Sequence, residues 1–188
     1  MKKLTLSIIA VLGMSFGALA QAGPDTKTDN HTITITIPEV ALLDIEQASA
    51  KNISLAFTAP TEAGLAITGP TTGLNTLWLN YSSIIESSGA DASRTISVKA
   101  TGLVAGVLLN VTAGTPVVVG GTGGVPVPIT SVTSADQTIV NNIGSVYTGD
   151  GISAGSNITY ALSAPAGTYG SLIAGTPVVT VIYTLSDN

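Results

Sequence analysis

The chain contains few side chains of the kinds that usually carry out catalysis. It has one histidine, His31, no cysteine, and 11 aspartates and glutamates among 188 residues. A histidine that acts as a general base needs a nucleophile and an orienting carboxylate beside it. His31 instead stands between a polar stretch and an alternating segment, and no GxSxG, HExxH or phosphate-loop pattern occurs. The sequence therefore predicts no catalytic residue, and we expect that the protein is not an enzyme.

The carboxylates are the remaining candidates for chemistry, as a glycosidase pair or as calcium ligands. Glu39, Asp44 and Glu46 lie within eight residues, and Asp150 begins a Gly-rich turn. Neither group has the regular spacing of a calcium-binding loop. Other acids stand beside turns or strand ends, where solubility explains them: Asp91, Asp136, Asp150 and Asp187. Because thiolate ligands are also absent, the sequence predicts no metal and no cofactor.

Residues 1–20 have the three parts of a secretory signal peptide. Met1-Lys2-Lys3 is basic, residues 4–19 are largely apolar, and Ala18-Leu19-Ala20 is a cleavage site of the small-x-small type. The apolar stretch is short and interrupted for a membrane span. We therefore expect an exported protein that passes through the periplasm, with no membrane span in the mature chain.

The composition of the mature chain predicts one folded, acidic domain. Without residues 1–20 it has 4 basic and 11 acidic side chains, a formal charge of −7 (4 − 11). This sign argues against a nucleic-acid partner, since phosphate binding requires clustered Lys and Arg. With 45% hydrophobic residues, about 168 residues can bury a core without disulfides.

The pattern after residue 30 predicts an all-β protein. Residues 21–30 form a polar leader, and residues 31–37, HTITITI, alternate with period two up to Pro38. Shorter β-like runs follow between Gly and Pro turns, at 40–45, 53–57, 77–81, 95–100, 107–112, 117–119, 129–132, 139–140, 158–162 and 177–185. Many short strands with such turns predict one antiparallel β-sandwich or small barrel over residues 38–188.

The alternating segment 31–37 must bury one apolar face. Ile33, Ile35 and Ile37 point the same way, and full burial stabilises each by about 1.5–3 kcal/mol. Either the segment is the first strand of its own sandwich, or it completes the sheet of a neighbouring subunit by β-augmentation. In the second case each subunit donates one strand and accepts one, which produces a fibre.

The layout resembles that of chaperone–usher pilins, especially the alternate, colonisation-factor-like class. The similar parts are an N-terminal alternating strand, a proline followed by an apolar run (IPEVALLDIEQ, 37–47), and the ending AGTYGSLIAGTPVVTVIYTLSDN, 166–188. The resemblance implies an immunoglobulin-like antiparallel β-sandwich with an N-terminal extension strand. It implies a homopolymeric surface fibre assembled with a periplasmic chaperone and an outer-membrane usher. It assigns Ile33, Ile35 and Ile37 to the donor strand, and Val179, Val181 and Tyr183 to the core strand near the acceptor groove.

An alternative hypothesis is a monomeric secreted sandwich that acts as a surface, matrix or carbohydrate-binding module. Sugar binding requires exposed aromatic rings on which a sugar can stack. The sequence offers four candidates for such rings: Trp78, Tyr81, Tyr147 and Tyr169. Core packing explains Trp78 equally well.

Overall fold

A computed structural model describes residues 27–70 and 73–188. The predicted signal peptide, residues 1–20, and the first part of the leader, residues 21–26, lie outside the described residues. The chain divides into two units, residues 1–36 and 37–188. Within the first unit, residues 27–36 are exposed to solvent and form no strand.

The described part of the second unit is built from antiparallel β-strands and two short 3₁₀ turns, Ala90–Ala92 and Ala166–Ser171. Its strands, in chain order, are β1 Val40–Gln47, β2 Leu74–Ile84, β3 Arg94–Thr101, β4 Leu108–Ala113, β5 Gly120–Gly121, β6 Val125–Pro126, β7 Gln137–Ile143, β8 Val146–Tyr147, β9 Ser156–Ser163 and β10 Thr180–Asp187. The prediction of an all-β protein is therefore confirmed. Among the described residues no helix has the length and apolar character needed to cross a membrane.

Alternating burial explains why the central strands form. On β3, Ile96 and Val98 are fully buried while Lys99 between buried neighbours is directed outward. Such alternation places one face of a strand in the core and the other toward solvent. Leu79 of β2 and Ile158 of β9 are buried in the same way.

The strands form two sheets that share one apolar core, which gives a sandwich-like arrangement. The first sheet has the order β4-β9-β2-β8-β5, with β1 also paired to β2. Residues Leu77–Leu79 of β2 pair with β9 and with β1 at the same time, so β1 lies on the opposite edge of β2 from β9. The second sheet has the order β10-β3-β7-β6. Strands β1 and β10 are consequently edge strands.

Four predicted strands are not strands in the structure, and residues 31–37 are the first of them. Residues 53–57 form no ladder, although Ile53 and Leu55 pack against the core. Residues 117–119 and 129–132 make only isolated bridges, Val117 with Gly155 and Ile129 with Val111. A sequence pattern shows that a segment is apolar, but a ladder also requires a free neighbouring edge in register.

Candidate functional site

The candidate site is the open side of the sandwich-like unit, between β1 and β10. The two strands belong to different sheets and contact each other. Within the described residues, β1 pairs only with β2 and β10 only with β3. Each strand therefore presents one row of unpaired backbone groups, and such edges readily accept another strand.

The apolar side chains along this open side are incompletely buried. Leu43 and Ile45 of β1 pack against the core but remain partly exposed. The same is true of Val181, Tyr183 and Leu185 on β10. The central strands differ, since their inward side chains are 0–4% exposed at Leu77, Leu79, Ile96 and Val98. The core is thus covered everywhere along β2 and β3 but left partly open between β1 and β10.

A buried arginine, Arg94, fixes one end of this open side. It is the first residue of β3, and its side chain is only 1% exposed. Its guanidinium donates to the Glu39 carboxylate, to Asp187 Oδ1 at 2.7 Å from Nε, to Val40 O at 2.5 Å, to Ser83 Oγ at 3.0 Å and to Ile84 O at 3.1 Å. These contacts connect the beginning of β1, the end of β2 and the end of β10. A buried charge is tolerated only when it is paired and hydrogen-bonded in this way.

Three carboxylates surround this arginine, and they are the described group that most resembles a metal site. Oxygen atoms of Glu39, Asp91 and Asp187 lie within 4.8 Å of one another. The positive charge between Glu39 and Asp187 is already supplied by the Arg94 guanidinium. The cluster considered from sequence does not assemble, because Asp44 instead forms an ion pair with Lys51 at 3.5 Å.

Two of the strand-end acids that solubility was expected to explain form ion pairs, and one of them binds a buried cation. Asp187 binds buried Arg94, and Asp136 accepts a hydrogen bond from Lys99 at 3.1 Å. Sequence reasoning did not identify Arg94 at all. Its only signal is a cation at the start of a strongly apolar alternating strand in a chain with very few charges.

The donor and acceptor residues assigned by the pilin resemblance lie as follows. Ile33, Ile35 and Ile37 are 70%, 79% and 72% exposed. Val181 and Tyr183 lie on β10 and are partly buried against the core, and Val179 packs there immediately before the strand begins. The roles of these six residues stay predictions.

The four aromatic candidates for sugar stacking separate into two groups. Tyr81 is 3% exposed and donates its hydroxyl to Gly123 O, so its ring is not available for stacking on a sugar. Tyr169 is partly buried, and its hydroxyl accepts from the Ile67 amide at 3.1 Å. Trp78 lies between the core residues Leu77 and Leu79 and so faces outward, and Tyr147 is 55% exposed.

A function for this protein has to be inferred from the geometry described above, because comparison with known proteins finds no match. No protein-family model matches the chain, and neither does any curated protein or solved structure. The relevant features are two unpaired sheet edges, a partly open core and an exposed row of isoleucines.

Proposed function

We propose that the protein is an exported structural subunit of a cell-surface fibre. Subunits join when residues 31–37 of one copy add a strand to the open side of the next copy, between β1 and β10. The observation that carries this proposal is the exposure of Ile33, Ile35 and Ile37 at 70–79%, since these three side chains recur at every second position and form one apolar face of an extended segment. In this proposal the fold is an immunoglobulin-like sandwich that a neighbour's strand completes.

Strand addition satisfies two physical requirements at once. It covers the exposed isoleucines, each worth about 1.5–3 kcal/mol when fully buried. It also pairs the free backbone edge of β10, which otherwise has no second ladder among the described residues. The partly exposed side chains of Val181, Tyr183 and Leu185 provide the apolar surface on the accepting side.

This contact is heterologous, so each subunit donates one strand and accepts one. A heterologous contact that does not close extends into a filament. Free subunits would carry both an apolar strand and an apolar groove, which makes them prone to aggregate. We therefore expect a periplasmic chaperone and an outer-membrane usher as assembly partners.

The test compares Ile35→Asp with the matched control Thr34→Asp in the full-length chain. Both positions are exposed in the subunit, but only residue 35 enters the groove in the proposed fibre. Electron microscopy and unboiled SDS gels should show fibres and resistant multimers for wild type and Thr34→Asp, and monomers for Ile35→Asp. If wild-type protein is a monomer at every concentration, or if both variants assemble equally, strand exchange is wrong.

A second candidate function, glycan binding by a monomeric surface module, is favoured by the outward face of the first sheet. Trp78 faces outward there between its register partners Glu46 and Asn157, and Tyr147 lies opposite Ser82 on the same face. Aromatic rings flanked by carboxylates and amides provide both stacking and hydrogen bonds for a sugar. Titration of Trp78 fluorescence with neutral oligosaccharides tests it, with Tyr147→Ala as the variant that should weaken binding. An unchanged signal throughout would reject this candidate.

A further inference from the structure

The spacing of the partly buried residues on β10 equals that of the isoleucines in residues 31–37. Both sets recur at every second position, which is one face of a strand. In an antiparallel arrangement, residues directly opposite each other share a face. One alignment matches all three positions of both strands: Ile37 with Val181, Ile35 with Tyr183, and Ile33 with Leu185.

The next pair in this alignment is His31 with Asp187. The Asp187 side chain lies on the same face of β10 as Tyr183 and Leu185, because it accepts a hydrogen bond from buried Arg94. Its side chain is still 47% exposed and has room for a second donor. The groups around it are Glu39 before β1, Asp91 on the 3₁₀ turn, and Arg94 on β3. Three carboxylates and one guanidinium leave an excess of negative charge that a histidine complements.

Each competing alignment places an unfavourable side chain opposite Asp187. A parallel strand that matches the same apolar positions puts the incoming Glu39 beside Asp187. An antiparallel strand shifted by two residues, so that Ile33 meets Tyr183, puts the incoming Asp29 there. Like charges directly opposite each other are destabilising. The opposite shift places Ile33 among the carboxylates.

We propose that the incoming segment of a second copy runs antiparallel to β10 with His31 against Asp187. This contact selects the direction and the register of the added strand. The inference rests on the proposed strand exchange and adds the residue pair that specifies it.

Engineered disulfides test the alignment, since the chain contains no cysteine of its own. Thr32→Cys on the incoming strand is combined in turn with Ser186→Cys, Thr184→Cys or Thr180→Cys, all at exposed positions. The proposed alignment brings residue 32 opposite 186, the shifted one opposite 184, and the parallel one opposite 180. Oxidised fibres should give a ladder of covalent multimers for the Ser186→Cys pair, several-fold more abundant than for the other two. If the dominant ladder comes from the Thr184→Cys or Thr180→Cys pair, this inference alone is overturned. If wild-type protein forms no fibres, the proposed function is overturned as well.

Charge variants at His31 test the contact itself, and His31 is exposed and outside the strands of its own subunit. His31→Asp should lower the fraction of SDS-resistant multimers several-fold, while His31→Lys should retain them. If His31→Asp multimers are as resistant to SDS as those of wild type, or if His31→Lys loses them to the same extent as His31→Asp, His31 does not contact the carboxylates.

Discussion

The hydroxyl oxygens of Tyr160 and Tyr183 lie 2.7 Å apart and share a hydrogen bond. Tyr160 belongs to β9 of the first sheet and Tyr183 to β10 of the second, so this bond connects the two sheets across the core. Burial raises the pKa of both hydroxyls, and for Tyr183 the neighbouring Tyr160 raises it further. The edge strand β10 is therefore tied to the opposite sheet at Tyr183 and, through Asp187, to Arg94 at its end.

Buried tyrosines should make the protein unstable at alkaline pH. Burial also raises the pKa of Tyr81 from 10.0 to about 12. The folded pKa of Tyr81 lies above its unfolded value, so the neutral hydroxyl stabilises the folded state. This contribution is complete below pH 10 and is lost as the pH rises to about 12. At about 1.4 kcal/mol per pKa unit, Tyr81 alone accounts for about 3 kcal/mol. Urea unfolding at pH 9, 10.5 and 11.5 measures the loss.

Tyr81→Phe is the control for that experiment. The variant loses the hydrogen bond to Gly123 O and should be less stable than wild type at pH 9. Its stability should then fall less between pH 10 and 12, because residue 81 no longer ionises. Parallel pH profiles for the two proteins would show that Tyr81 is not responsible for the alkaline loss.

Removal of the Arg94 side chain should destabilise the fold far more than removal of an exposed cation. Arg94→Ala leaves Glu39 and Asp187 without their partner and frees two backbone carbonyls, those of Val40 and Ile84. A buried acceptor left without its donor costs about 1–3 kcal/mol, and the carboxylates of Glu39 and Asp187 add less because they are half-exposed and can be hydrated. Chemical denaturation at pH 7 measures this change.

Lys99→Ala is the matched variant, because Lys99 lies on the same strand and pairs with Asp136 at the surface. Exposed pairs of this kind contribute about 0.2–1 kcal/mol. Equal free-energy losses in the two variants would contradict a specific structural role for Arg94.

Two glycines with left-handed backbones should differ in their tolerance of alanine. Gly155 has φ +63°, and a Cβ there would lie 1.9 Å from the Leu79 carbonyl oxygen. Gly64 has φ +90° with open space around it. Both substitutions carry the left-handed cost of about 1–2 kcal/mol, but only Gly155→Ala also forces β2 and the 148–155 loop apart. We expect Gly155→Ala to lose about 1–3 kcal/mol more, measured as unfolding free energy. An equal loss at both sites would show that the loop shifts freely.

Local patterns in the sequence determined the class of the protein and much of its strand assignment. The alternation at 95–100 by itself places Ile96 and Val98 on one face and Lys99 on the other, and in the structure the first two are buried while Lys99 is directed outward. Ile158, Tyr160 and Leu162 likewise share the inward face of β9. Such predictions succeed because the period of two belongs to the strand itself and needs no knowledge of its partner.

Tertiary structure alone decided which edges are open and which charges are buried. Arg94 reaches Glu39 across 55 positions and Asp187 across 93, so no short-range pattern signals their contact. Residues 53–57 alternate as clearly as β3 yet form no ladder, because a ladder depends on a free edge elsewhere in the fold. The isoleucines at 33, 35 and 37 were evident from sequence. The partly open core between β1 and β10 was not, since it depends on the order of the strands in both sheets.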